Sequence, residues 1–246
     1  MKNRFIRIFP ALLICLCLLC TGTAFAVDTS AENCVRESLS RCNITTLRTN
    51  QYTAGRPVII FFPGYYEANS NKNLISFIRN YHLYDDVEAD LIAVTVRGGN
   101  PWYRSWEPAC PDLYEFLKDK YAASPFPIIV DTVSLGGYGG CWFVDYFRKN
   151  GIPVQELNLA DACGYWCMTA DWLRELACAG TRVNIWGCNG SLNISVDTRA
   201  MIAELEGTEN IHCVVMDSAH GAVLSNAIHK YGLHAEYAPA SDAETD

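Results

Sequence analysis

The chain has 246 residues, half of them hydrophobic, with 19 basic and 27 acidic side chains and a net charge of −8. That length suits one domain with a substantial core better than two. The acidic balance repels phosphate backbones, so nucleic acid is excluded as the expected partner, while the choice among small substrates stays open.

At the N-terminus Lys2, Arg4 and Arg7 precede an apolar core from Ile8 to Cys20, and Thr23-Ala24-Phe25-Ala26 offers an A-x-A cleavage site. This is the pattern of a secretory signal peptide over residues 1–26. The apolar core is shorter than the roughly 20 residues a span requires, so no stable membrane span is expected after cleavage. Cys20 raises a lipoprotein alternative, but Leu19 stands where a small residue belongs before a lipidated cysteine. The expected location is therefore secreted or extracytoplasmic. The mature chain would carry 16 basic and 27 acidic residues and nine cysteines, namely 34, 42, 110, 141, 163, 167, 178, 188 and 213. In an exported chain that number implies several disulfides, with Cys34–Cys42 and Cys163–Cys167 the closest pairs and one cysteine left over. Cys163-x-x-x-Cys167 has no second Cys/His pair of matching spacing, so neither a metal nor another cofactor is expected. Three sequons begin at Asn43, Asn189 and Asn193 and matter only if the source glycosylates its exports.

Residues 27–56 are polar and without a strong period, and read as a lead-in held by a disulfide. The V-I-I-F-F run at 58–62, closed by Pro63-Gly64, fits a strand buried on both faces. Leu74, Ile75, Phe77 and Ile78 predict a helix over 73–81, and D-L-I-A-V-T-V predicts a strand over 90–96 before the Gly98-Gly99-Asn100-Pro101 break. A helix follows over 112–121, opened by Pro111. Ile128 to Val130 form the next strand, with a helix over 142–149. Strands are then expected over 154–160, 182–186 and 211–216. Helices are expected over 166–178, 196–205 and 221–231. Residues 235–246 read as a loose acidic tail. Six strands alternating with helices predict an α/β fold: a single domain over 57–234, with a mostly parallel sheet covered by helices on both faces.

The stretch F-P-I-I-V-D-T-V-S-L-G-G-Y-G-G-C at 126–141 carries the chemistry. A short strand reaches Ser134, glycines follow at 136, 137, 139 and 140, and a helix comes next. Strand, sharp turn with a serine, then helix is the layout of a nucleophile elbow, with small residues two positions either side of the serine. Those positions are Thr132 and Gly136. On these residues the sequence resembles the alpha/beta-hydrolase family, with G-x-S-x-G altered to T-x-S-x-G. The resemblance covers about 58–231; the six strands match that fold's third to eighth, and its first two, antiparallel strands have no convincing equivalent.

The resemblance implies a nucleophile, an acid and a histidine in that chain order. Ser134 takes the first role. His220, in D-S-A-H-G after the last strand, stands at the family's place for the base, whereas His212 lies inside a strand and His229 and His234 in or after the terminal helix. The commonest acid position, in the loop W-G-C-N-G-S at 186–191, holds no carboxylate. Asp161, at the end of the preceding strand, is the alternative site and the preferred candidate, ahead of Asp197 and Asp217. The oxyanion donors implied are the backbone N–H groups of Leu135 and Tyr65, since Pro63 has no N–H. Tyr65, Tyr66, Trp102, Tyr103, Tyr165 and Trp166 all follow strands and suggest an aromatic-lined substrate pocket. The function implied is hydrolysis of carboxylic esters through an acyl-enzyme. Peptidase or acyltransferase chemistry on the same machinery, or a disulfide-stabilised binding domain without catalysis, are the alternatives, and the oligomeric state stays open.

Overall fold

A computed structural model of the protein describes residues 35–47, 56–68, 70–96, 106–162 and 168–237. Eight strands form one sheet in the order β1-β2-β4-β3-β5-β6-β7-β8. They are β1 (Val35–Ser38), β2 (Cys42–Thr46), β3 (Val58–Phe62), β4 (Asp90–Val96), β5 (Ile128–Val133), β6 (Glu156–Ala160), β7 (Arg182–Cys188) and β8 (Ile211–Met216). From β4 and β3 onward all neighbours are parallel, while β1 pairs antiparallel with β2 and β2 antiparallel with β4.

The expected α/β architecture is present, and the strand count is corrected from six to eight. The two added strands lie in the lead-in, where apolar runs are missing. All five β2 residues, C-N-I-T-T, are nonetheless buried. Their polar side chains are tolerated because partners are close at hand, as where Ser38 Oγ donates to Asn43 Oδ1 at 2.9 Å.

Seven helices are present among the described residues, the last of them after the final strand: α1 (Tyr65–Ala68), α2 (Asn71–Asn80), α3 (Cys110–Ala123), α4 (Gly136–Lys149), α5 (Ala170–Cys178), α6 (Asn193–Leu205) and α7 (Val223–Tyr231). The period-2 alternation of each strand divides them between two faces. Ile60, Val130, Leu159 and Ile185 pack with Leu117 of α3, Phe143 and Phe147 of α4, Leu173 of α5 and Ile202 of α6. Ile59, Phe61, Ile129 and Trp186 pack with Leu74 and Ile78 of α2 and with Val223 and Leu224 of α7. Each face is thereby sealed, which is why β3 reads as an unbroken apolar run.

One expectation about the chain's ends changes. Ala235–Tyr237, assigned to the loose tail, is a 3-10 turn whose Tyr237 carbonyl accepts from the Glu88 N–H at 2.6 Å and whose Glu236 pairs with Arg182. Residues 1–26, with the signal-peptide reading, and 238–246 lie outside the described residues. The disulfide reading is corrected as well: no disulfide forms among the described residues, and Cys42, Cys110, Cys178, Cys188 and Cys213 are free thiols. Cys42 therefore makes no staple to Cys34. Its side chain enters the core instead, and burial, with the Asp112 charge, pushes its thiol up to about 12. Cys110 donates to the Trp106 carbonyl at 3.4 Å. Cys34, Cys163 and Cys167 lie outside the described residues.

Candidate active site

Three strand ends converge on the carboxyl edge of the sheet. At the first, β5 turns into α4 at Ser134, whose φ of 52° lies in the left-handed region a residue with a side chain rarely adopts. The turn is held by Ser134 N–H donating to Ala160 O at 3.2 Å and Gly137 N–H to Ser134 O at 3.0 Å. Close approach sets its residue types: a Cβ on Gly136 would overlap the carbonyl of Phe62, at the end of β3. Thr132 replaces the small residue expected before the serine, and the helix makes the room, since a Cβ on Gly140 would overlap Thr132 Cγ2. The threonine hydroxyl is satisfied by the Asn158 carbonyl at 3.0 Å.

At the second end, Asp161 follows β6 directly and also has positive φ, 48°. Its backbone N–H donates to Trp186 O at 2.6 Å. The side chain is fully buried, and one oxygen, Oδ2, gathers three donors: His220 Nδ1 at 2.6 Å, Ser195 Oγ at 2.5 Å and Cys188 Sγ at 3.2 Å. Burial alone would raise this carboxyl, but the hydrogen bonds from His220, Ser195 and Cys188, with the charge on His220, outweigh it and hold Asp161 below the usual carboxylate range.

At the third, His220 opens a 3-10 turn just past β8. With Nδ1 bound to Asp161 and 24% of the side chain exposed, the ring is oriented from behind and open in front. Ser134 and Asp161 are neighbours across β5 and β6, because the serine N–H bonds the residue before the aspartate. Asp197 and Asp217 are both exposed. Asp197 lies two residues past the buried Ser195 on α6, so the helix turns it away from Asp161.

Leu135 stands at the N-cap of α4, where the first N–H groups of a helix lack intrahelical acceptors. The Pro63-Gly64-Tyr65 loop lies against the elbow: a Cβ on Gly64 would sit 3.4 Å from Ser134 Cβ and 2.9 Å from Glu67 Oε2. Tyr65 is exposed at the start of α1. Trp102, Tyr103, Tyr165 and Trp166 lie outside the described residues, as does the side chain of Tyr66, and with them the expected aromatic pocket. A cavity of about 260 Å³ opens elsewhere, lined by Glu156, Arg182, His212 and His234 among others, and includes none of Ser134, Asp161 or His220.

No family model and no curated protein matches the sequence. Solved structures do match the fold. An alpha-beta hydrolase from Vibrio vulnificus superposes with a TM-score of 0.56 at 17% identity, covering 89% of this chain and 83% of that one. The fold is that of the alpha/beta hydrolases. An ester-hydrolase from the metagenome of Lake Arreo, in complex with a derivative of bipyridine phosphonate, gives 0.55 at 14% identity, with 82% and 78% covered. An esterase from Pyrobaculum calidifontis gives 0.54 at 11%, with 91% and 85% covered. In the strand order of this alpha/beta-hydrolase fold, the missing antiparallel edge is supplied by β1 and β2.

Ser195 and Cys188 escape a sequence reading. Nothing marks a serine in the first turn of a helix, or a cysteine closing a strand, as partners of a carboxylate 34 and 27 residues away.

Proposed function

We propose that the protein is a secreted serine hydrolase of carboxylic esters, with Ser134 as nucleophile, His220 as base and Asp161 as the acid that orients it. The observation that carries this reading is the Asp161–His220 hydrogen bond beside a serine held at positive φ on a strand-to-helix turn. Asp161 accepts from Nδ1–H, which leaves Nε2 as the proton acceptor. Ser134 Oγ attacks the ester carbonyl as its proton passes to His220 Nε2. The N–H groups of Leu135 and Tyr65 receive the oxyanion. His220 then returns the proton to the leaving alcohol, and a water deprotonated by the same nitrogen splits the acyl-enzyme to acid and free serine. Two of the structural neighbours are an ester-hydrolase and an esterase, which agrees with this chemistry. Export rests on residues 1–26 alone and is tested by the N-terminus of protein recovered outside the cytoplasm, which begins at Val27 if the leader is cleaved as read. For the activity, the purified protein should turn over p-nitrophenyl acetate and the folded Ser134→Ala variant should not; equal turnover by the two rejects the assignment.

A further inference from the structure

In this fold the loop after β7 is where a sequence reading first looks for the acid, and here it holds none. It holds two donors instead. Cys188, the last residue of β7, and Ser195, in the first turn of α6, are both fully buried, and both aim at Asp161 Oδ2, 3.2 and 2.5 Å away. The chain between them is shaped for this. A Cβ on Gly190 would come 3.2 Å from Cys188 Sγ and 3.4 Å from Ser195 Oγ, so the glycine leaves the space the two side chains occupy. Arg199, one turn further along α6, donates through Nη1 to the carbonyls of Cys188 at 2.5 Å and Gly190 at 2.8 Å, fixing the loop to the helix that carries Ser195.

We infer that Ser195, assisted by Cys188, is the positioning residue of the catalytic acid. It fixes the rotation of the Asp161 carboxylate so that Oδ2 faces His220 Nδ1. The inference rests on the triad reading above and adds a group that touches neither substrate nor reacting atoms. The Asp161 side chain can turn about its own torsions, and a buried hydroxyl bound to the same Oδ2 that meets His220 restricts that turning. Hydrogen bonds to a charged group are stronger than those between neutral groups, and inside a dry site the loss of one leaves the charge poorly held. Ser195 is the stronger of the two donors, because a thiol donates weakly.

The test is steady-state hydrolysis of p-nitrophenyl acetate across pH by wild type, Ser195→Ala, Ser195→Thr and Ser134→Ala, with a melting curve for each. Ser195→Ala should lower kcat about tenfold with KM little changed, and should move the low-pH loss of activity to higher pH, since a carboxylate with one donor fewer is protonated more readily. Ser195→Thr, which restores the hydroxyl, should recover both the rate and the profile. A Ser195→Ala variant that melts as a folded protein with wild-type kcat and profile overturns the positioning role while Ser134→Ala remains dead. If Ser134→Ala is itself active, the triad reading fails and the positioning role with it. A Ser195→Ala loss confined to the melting temperature marks a merely structural contact and also overturns the inference.

Discussion

Among the described residues two buried aspartates of neighbouring strands each hold a histidine, and the proposed catalytic role falls to one of the two pairs. Asp131, in the middle of β5, accepts from His234 Nε2 at 2.9 Å, Tyr84 Oη at 2.7 Å and Asn158 Nδ2 at 2.7 Å. Asp161, one strand over and at the carboxyl end, accepts from His220, Ser195 and Cys188. Both carboxylates are fully buried and each meets three donors, but those of Asp131 are shared between its two oxygens, whereas those of Asp161 all meet Oδ2 and leave Oδ1 without a partner. The histidines differ. His234 has a side chain with no exposure at all, whereas His220 keeps 24%. His234 also sits at positive φ, 70°, but its ring is shut in against Asp131 and Tyr84, while Ser134 stands beside Asp161. Position along the strand separates the two pairs: Asp131 lies in the middle of β5, whereas Asp161 stands at the carboxyl end of β6, the edge at which ligands bind in such sheets.

The inner pair belongs to a polar chain that crosses the sheet. Asn158 also donates to Glu156 at 2.8 Å, Asn184 donates to Asn158 Oδ1 at 2.7 Å, and Arg182 Nε reaches Glu156 at 2.8 Å and ties it to Glu236. This network fastens residues 232–237 onto β5, β6 and β7. Burial would lower the His234 imidazole, but the Asp131 charge and hydrogen bond, with Glu156, raise it above the ordinary histidine value. Burial and the Asp131 charge likewise hold the Tyr84 hydroxyl protonated.

The largest expected contrast lies between the two carboxylates. Asp161→Asn should reduce kcat on p-nitrophenyl acetate by about 10⁴-fold, the scale of losing the acid from a serine triad, while Asp197→Asn leaves it within about twofold. The reverse order would move the acid to α6. Asp131→Ala should behave in the opposite sense. It strands His234 without its partner at a cost of about 3 kcal/mol, lowering the melting temperature by roughly 10 °C for a domain of this size, yet kcat of the folded fraction should hold. A rate loss comparable to that of Asp161→Asn would erase the distinction between the pairs.

A smaller effect is carried by pH. A histidine raised by folding adds stability that is fully present below its unfolded pKa, about 6.5, and is lost as pH climbs through the folded value. The groups facing His234 include Asp131, Tyr84, Tyr237, Glu156, Glu236 and Arg182. Melting temperature measured upward from about pH 6.5 should therefore decline, and His234→Gln should flatten that decline without changing the low-pH limb of activity. Asp161 contributes with the other sign, since its depressed carboxyl adds stability that is lost only in acid. A His234→Gln variant with an undiminished slope would assign the decline to another group.

The parallel sheet was legible because burial on both faces leaves unbroken apolar runs, V-I-I-F-F being the plainest. β1 and β2 were not, because their polar residues are satisfied by neighbours that only the fold supplies. The elbow was legible from Ser134 and its glycines, although α4 starts at Gly136 and not at Trp142: packing against β3 requires glycine where helix propensity opposes it. Asp161 could be named from its place at a strand end. Ser195 could not, since its role depends on α6 bringing its first turn against β6. Asp131 did carry a readable signal: a carboxylate inside I-I-V-D-T-V must be paired if the strand is buried, and Asn158 and Asn184 repeat the same hint at the centres of β6 and β7.

In the function proposed above, Ser134 is an activated nucleophile. Incubation of the folded protein with a fluorophosphonate probe, followed by mass mapping of the adduct, tests it most directly. The expected result is a single phosphonylated peptide carrying Ser134, with labelling lost in Ser134→Ala and strongly slowed in Asp161→Asn but not in Asp131→Asn. A folded protein that takes no label, or takes it at a serine other than Ser134, contradicts the claim.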